Sequence, residues 1–324
     1  MTNEHRFRAA SGRRPFAVLV ICLVLAACSA GTETGSPSAA GGQYPGWPGS
    51  GTVVANSDFI PILVSAEVGT GHSRLLITLQ DRAGRTLDAP DVAVQETFYD
   101  LATSTDTAIS QAAGTFRWLI PDSKPIYTAY ADFAHAGDWG VEVTAQQAGT
   151  PDRTARVTFS VRDTTTTPAI GADAPPSDTL TASDPATIVA ISTDTDPDPA
   201  FYTLSVKDAI AAGKPFVLVF ATPLFCVSGT CGPALDLVKQ VAADYIGRVN
   251  FIHVEPYVLQ MKDGHPQPEV DVTGHPKPVR AVVEWGLPTE PYVFVVDAQG
   301  KVAAKFEGMA FPDELSAALD AILR

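Results

Sequence analysis

Two apolar patterns divide the chain. In RTARVTFSVRD, residues 153–163, Ala155, Val157, Phe159 and Val161 alternate with Arg156, Thr158, Ser160 and Arg162. A period of two buries one face of a strand and leaves the other wet. In KPFVLVFA, residues 214–221, the apolar run is nearly unbroken, as expected of a strand covered on both faces. The two patterns demand different sheets, and 324 residues suffice for about two cores. The expected fold class is therefore multidomain, with an all-β part followed by an α/β part.

The first part runs over residues 57–162. Strand-like runs RLLITL, DVAVQETFYDL and WGVEVTAQQ precede RTARVTFSVRD, and turn chemistry at Asp81-Arg82-Ala83-Gly84 and at residues 148–152 separates them. About a hundred residues of short strands without an amphipathic helix predict an immunoglobulin-like β-sandwich. Trp118 and Trp139 are expected in its core, and His135, beside Ala136-Gly137, on its surface. This half offers no catalytic constellation. Residues 163–199 follow as a linker rich in Pro, Thr and Asp, although Thr187-Ile188-Val189-Ala190-Ile191 within it has strand composition.

The amino terminus reads as an export signal. Arg6, Arg8, Arg13 and Arg14 precede a twelve-residue apolar run, FAVLVICLVLAA, which is short for a bilayer span. Its ending, Leu25-Ala26-Ala27-Cys28, resembles the lipobox of bacterial lipoproteins, which implies a signal peptide over 1–28 and lipid on Cys28. Arg13-Arg14-Pro15-Phe16 partly matches a twin-arginine signal, so the export route stays open. Residues 29–56, rich in Gly, Ser and Pro, read as a flexible tether. The expected location is the cell membrane, lipid-anchored, on the extracytoplasmic side.

Charge narrows the partners. The chain carries 22 basic and 36 acidic side chains, a net charge of −14. Removal of residues 1–27 takes away four arginines and one glutamate, leaving 18 and 35 and a net charge of −17. Phosphate backbones and anionic lipid repel such a chain, so no nucleic-acid partner is expected and membrane contact falls to the lipid on Cys28.

Beyond Ala200 the elements alternate. SVKDAIAAG reads as a helix stopped by Gly213, KPFVLVFA as a strand, and a helix starts near Pro233 with Leu235, Val238, Val241, Ala242 and Tyr245 on one face. RVNFIHVEPY is a strand, PYVFVVDAQGKVAAKFEG a hairpin turning at Asp297–Gly300, and DELSAALDAIL a closing helix. Cys226 and Cys231 lie between the buried strand and the helix start, and Pro291 directly precedes an apolar strand. On these two features, and on the strand and turn Phe294–Gly300 (FVVDAQG), residues 200–324 resemble the thioredoxin-like fold of extracytoplasmic, membrane-anchored thioredoxin relatives. The resemblance implies thiol-disulfide exchange by Cys226 and Cys231 with protein clients and a redox partner, no cofactor, and a cis Pro291 beside the disulfide. Pro288 is the weaker alternative for that proline, being too far from Asp297.

The departures carry information too. Four residues, VSGT, separate the cysteines where the family usually has two. Phe225 keeps the aromatic before the first cysteine, but the buried acid expected on the preceding strand is missing from residues 216–221, so proton transfer needs water or another group. Cys231-Gly232-Pro233-Ala234 resembles the thioredoxin Cys-Gly-Pro-Cys with its last cysteine replaced. A helix N-terminus would then make Cys231 the more acidic thiol, whereas chain order and exposure favour Cys226 as the attacking sulfur.

Two alternatives stand beside exchange. The disulfide could be a structural bridge in a redox-inert binding or scaffold lipoprotein, although closing so short a loop stabilises by at most about 3 kcal/mol. Copper could be handled by the two thiols with a histidine, since thiolate and imidazole suit that metal. His253, His265 and His275 are the possible ligands, with Met261 as a weaker one. The less favoured status of copper follows from simpler assignments: His253 as a hydrogen-bonded core residue, and Gly264-His265-Pro266 with Gly274-His275-Pro276 as a stiff insertion.

Overall fold

The structure is a computed structural model that describes residues 43–49, 57, 59–182 and 184–324. The expected signal peptide, Cys28 and most of the tether lie outside the described residues. The described chain is mostly β, with several sheets and few helices. Among the described residues no helix is long and apolar enough to cross a membrane.

Eight strands come first: β1 (Ile60–Leu63), β2 (Val68–Gly69), β3 (Gly71–Gln80), β4 (Val92–Asp100), β5 (Ser110–Ile120), β6 (Lys124–Phe133), β7 (Gly137–Gln147) and β8 (Arg153–Arg162). They pair in the order β1-β3-β6-β5-β4-β7-β8-β2. Leu75, Ile77 and Leu79 of β3 and Tyr127 and Phe133 of β6 share one core with Val94, Phe98, Val141, Val157 and Phe159. The sheet therefore turns back on itself and buries the alternating side chains between two layers. Trp139 lies in this core, whereas Trp118 is only half-buried, on a strand with no fully buried residue. His135 is in the expected turn, where Nε2 meets Asp100 Oδ2 at 2.9 Å.

Part of the stretch expected as tether is anchored. Trp47 is buried against Tyr99, with ring centroids 4.9 Å apart, and its indole N–H donates to the Thr105 carbonyl at 3.0 Å. The Arg156 guanidinium lies 4.7 Å from its ring centroid. Gly140 is the seat for this ring, since a Cβ there would lie 2.3 Å from it. The Tyr44 hydroxyl donates to Asp138 and the Pro48 carbonyl accepts from the Thr158 hydroxyl, so residues 43–49 dock on the sheet around this tryptophan.

The 163–199 stretch is also laid down on its neighbours. The backbone of Gly171, Ala172 and Ala174 exchanges hydrogen bonds with Val302 and Gly300, and Glu67 accepts from Thr166 and Thr167. The strand composition of 187–191 is overridden: α1 (Pro185–Ile188) forms there, started by Asp184, whose carboxylate accepts from the Ala186 N–H.

The remaining elements are α2 (Val206–Ala211), β9 (Phe216–Phe220), α3 (Cys231–Ala242), β10 (Asn250–Val254), β11 (Leu259–Lys262), β12 (His265–Pro268), α4 (Arg280–Glu284), β13 (Tyr292–Val296), β14 (Val302–Glu307) and α5 (Pro312–Ile322). Four strands form a sheet in the order β10-β9-β13-β14, with β10 parallel and β13 antiparallel to β9. Every residue of β9 and β13 is buried, which explains their unbroken apolar runs. Val217, Val219, Val293 and Val295 face α3 and α5 in one core, while Phe216, Leu218, Phe220 and Phe294 face Val206, Ala281 and Trp285 in another. Burial of each such side chain contributes about 1.5–3 kcal/mol. The histidine-proline repeat takes regular structure: β11 and β12 pair as a hairpin, and Val258, Glu269 and Lys277 extend its backbone bonding.

The two β regions touch through a small apolar cluster of Leu76 and Ile126 with Ala234, Met309 and Phe311. Beside it the Arg74 guanidinium donates to both carboxylate oxygens of Glu314 at 2.9 and 2.8 Å and to the carbonyls of Glu307 and Met309, each at 3.0 Å.

Candidate functional site

The cysteine loop begins where β9 ends. The parallel pairing places Val254 opposite Phe220, and the antiparallel pairing places Tyr292 opposite the same residue. The chain ends leaving β9 and β10 and the start of β13 therefore meet at one edge of the sheet. Pro291 lies at that edge, and its peptide bond to Glu290 is cis; Pro288 has no cis bond.

From Ala221 the chain turns at Thr222–Phe225, where the Phe225 N–H donates to the Thr222 carbonyl at 3.2 Å. It turns again at Cys226–Gly229, whose N–H donates to the Cys226 carbonyl at 3.0 Å. Gly229 takes φ +71°, a left-handed conformation suited to glycine. The second turn brings Cys226 back onto the start of α3, and the Cys226–Cys231 disulfide closes with Cα atoms 5.9 Å apart, an ordinary separation.

The two sulfurs have different surroundings. Cys231 is fully buried, in one core with Val217 and Leu235, while Cys226 is partly exposed on a lip where Leu224 is 54% and Val227 100% exposed. The Cys231 N–H, the first of α3, donates to Cys226 Sγ at 3.2 Å, and the Ser228 hydroxyl lies 3.1 Å from the same sulfur. Thr230, the cap residue of α3, makes no side-chain capping bond. The helix terminus is thus aimed at Cys226, where it favours negative charge. The likeness of Cys231-Gly232-Pro233-Ala234 to Cys-Gly-Pro-Cys points that advantage at Cys231; the backward turn at Gly229 brings Cys226 Sγ to the first helical N–H as well.

The acid missing from β9 has a counterpart on the neighbouring strand's continuation. Glu255 follows β10 directly and is buried, and burial pushes its carboxyl up to about 7. The Thr193 N–H and hydroxyl donate to Oε2 at 3.1 and 2.6 Å. That hydroxyl accepts from the Leu224 N–H at 3.3 Å and so links the acid to the cysteine loop. Glu255 can gain or lose a proton near neutral pH, and its signal in the sequence, an acid ending the apolar strand in VNFIHVEPY, was available.

His253 behaves as a core residue. Its Nε2–H donates to the Ala221 carbonyl at 2.9 Å, so Nδ1 accepts from the Tyr202 hydroxyl at 2.8 Å. Burial holds its pKa down at about 4. Both ring nitrogens are committed, which leaves no lone pair for copper. His265 and His275 are exposed on the β11–β12 extension, Met261 is exposed beside them, and His275 Nδ1 lies 2.7 Å from the Thr273 hydroxyl. Among the described residues no group of three or more His, Cys, Asp or Glu side chains is placed to hold a metal ion.

No protein family matches this chain, and no curated protein matches it significantly. Solved structures give partial likenesses. MTB dsbF, in mixed oxidized and reduced forms, is 24% identical over 37% of this chain and 87% of its own, with a TM-score of 0.26. The filamin domain of Lin-41 is 16% identical over 32% and 93%, with a TM-score of 0.20. A DUF4426 family protein from Pseudomonas aeruginosa PAO1 is 12% identical over 29% and 68%, with a TM-score of 0.22.

Proposed function

We propose that this chain is a thiol-disulfide exchange protein, held by lipid on Cys28 at the extracytoplasmic face of a membrane. Residues 200–324 would form its thioredoxin-like domain and 57–162 an immunoglobulin-like sandwich. The observation that carries the proposal is the asymmetry of the disulfide: the accessible sulfur, Cys226, receives the first amide of α3, and its partner is fully buried.

In the dithiol form the Cys226 thiolate attacks a client disulfide. One Cys226–client bond forms, the client bond breaks, and one client sulfur leaves as thiolate. Cys231 then gives up its proton, with Glu255 as the accepting group through intervening water, and attacks Cys226 Sγ. The internal disulfide forms and the second client thiolate departs, so the client gains the two electrons the pair loses. The reverse sequence oxidises a client dithiol.

Cys231→Ser removes the resolving thiol. With oxidised glutathione as the probe, this variant is expected to retain a glutathione adduct on Cys226, seen by mass spectrometry, while the parent chain sheds it. An adduct retained only by Cys226→Ser would reverse the roles. For Glu255→Gln the release of glutathione from Cys226 is expected to slow about a hundredfold at pH 7, the low end for loss of an acid-base group. The parent rate should rise with an inflection near 7, following the Glu255 carboxyl; an unchanged inflection in the variant removes Glu255 from the step.

A further inference from the structure

The β5–β6 hairpin of the N-terminal sheet reaches the cysteine loop. Its turn, with Asp122 at φ +56°, sets Lys124 opposite Ile120. The Lys124 ammonium donates to the Ser228 carbonyl, in the middle of the loop between the two cysteines. Ile120 Cδ1 lies 3.8 Å from where a Gly229 Cβ would stand, so the hairpin tip lies against the loop from Ser228 to Gly229. The Ser228 hydroxyl is in turn 3.1 Å from Cys226 Sγ.

The hairpin is held in place near its tip. Leu119 packs with Leu76 and Ile126 against Ala234 and Leu237 of α3, the helix that begins at Cys231. Arg117 on β5 pairs with Asp313 of α5 at 2.6 Å and lies 5.0 Å from the Phe311 ring centroid. Lys124 is thus a cation supplied by one sheet to the redox loop of the other, in a chain with a net charge of −14.

We propose that Lys124 is a positioning residue of the disulfide centre, which holds the loop through Ser228 and stabilises the Cys226 thiolate when the bridge opens. This rests on the exchange activity proposed above. In the disulfide both sulfurs are neutral and gain little from a nearby cation; in the dithiol form Cys226 carries negative charge, so the cation favours the reduced state. The N-terminal sheet then takes part in setting the redox equilibrium rather than serving only as a spacer.

The test equilibrates the whole chain, Lys124→Arg and Lys124→Met with glutathione buffers, in which protein disulfide and two glutathione thiols convert to protein dithiol and glutathione disulfide. Lys124→Met is expected to lower the equilibrium constant for dithiol formation three- to tenfold, which is about 14–30 mV at about 29.6 mV per tenfold. Iodoacetamide should alkylate Cys226 in the reduced variant more slowly by a similar factor. Lys124→Arg keeps the charge and should stay within about twofold of the parent in both readouts. A Lys124→Met chain within that same margin, or one shifted toward dithiol, overturns the assignment while leaving exchange itself intact. A parent chain that no glutathione buffer reduces would overturn exchange first and this role with it.

Discussion

Arg74→Met is expected to lower the stability of the chain by about 3 kcal/mol, the lower end for breaking a buried ion pair. Arg74 and Glu314 side chains are each only 6% exposed, and the guanidinium makes two bonds to the carboxylate and two to backbone carbonyls. Methionine keeps much of the apolar stem that lies over Phe306 and Phe311 but leaves the Glu314 charge buried. The Tyr130 hydroxyl, donating to Oε1 at 2.8 Å, and the Phe311 N–H, donating to Oε2 at 3.4 Å, are the donors that would still serve that carboxylate. Combining Arg74→Met with Glu314→Leu should recover most of the loss, because the unpaired charge rather than the missing attraction is the main cost. Urea unfolding of both variants checks this; a loss below about 1 kcal/mol for the single change would show that the carboxylate finds water or another donor.

The second large effect is a dependence on pH. Glu96 on β4 is fully buried among the alternating core positions, and among the described residues neither carboxylate oxygen has a hydrogen-bond partner. Burial pushes its carboxyl up to about 8. Below the unfolded value, about 4.3, both states hold the proton and the group is neutral in the balance. Between there and about 8 the unfolded chain releases the proton while the folded chain keeps it, so stability falls as pH rises. The slope is about 1.4 kcal/mol per pH unit and the total on the order of 4–5 kcal/mol. Glu96→Met removes this loss and should leave the variant more stable than the parent by several kcal/mol at pH 8, by order of magnitude. Asp88, Glu255 and Glu307 are pushed up to about 6, 7 and 7 and contribute slopes of the same sign in both chains, so the difference between the two curves is the readout. Parallel curves between pH 5 and 8 would mean that Glu96 finds a partner or solvent.

The strands and helices with a clear period were readable from the residues. The alternation at 155–161, the unbroken run at 216–221, the helix after Cys231 and the hairpin turning at Asp297–Gly300 are all elements of the structure. Each is a local pattern in which propensity and burial agree. What escaped depended on neighbours distant in the chain. Trp47 lies in a glycine-rich stretch, and its pocket exists only because Gly140 on β7 leaves room for the ring. At 187–191 β-branched side chains suggested a strand, but the Asp184 cap and packing of Ile188 give a short helix.

The site divides in the same way. That Cys226 and Cys231 join strand to helix follows from composition. That the helix amide points at Cys226 follows from a turn at Gly229 whose direction no period encodes. Glu255 joins the loop only through the parallel register of β9 and β10 and the intervening Thr193. Lys124 lies 102 residues before Cys226, and only the packing of one sheet on α3 brings them together.

The reduction potential of the Cys226–Cys231 pair is the most direct measure of what this protein does. It can be read by thiol alkylation and mass spectrometry of the chain in graded redox buffers. An exchange protein should give a value above about −270 mV, in the range of oxidoreductase pairs. A value below about −300 mV would mark a structural bridge and contradict thiol-disulfide exchange.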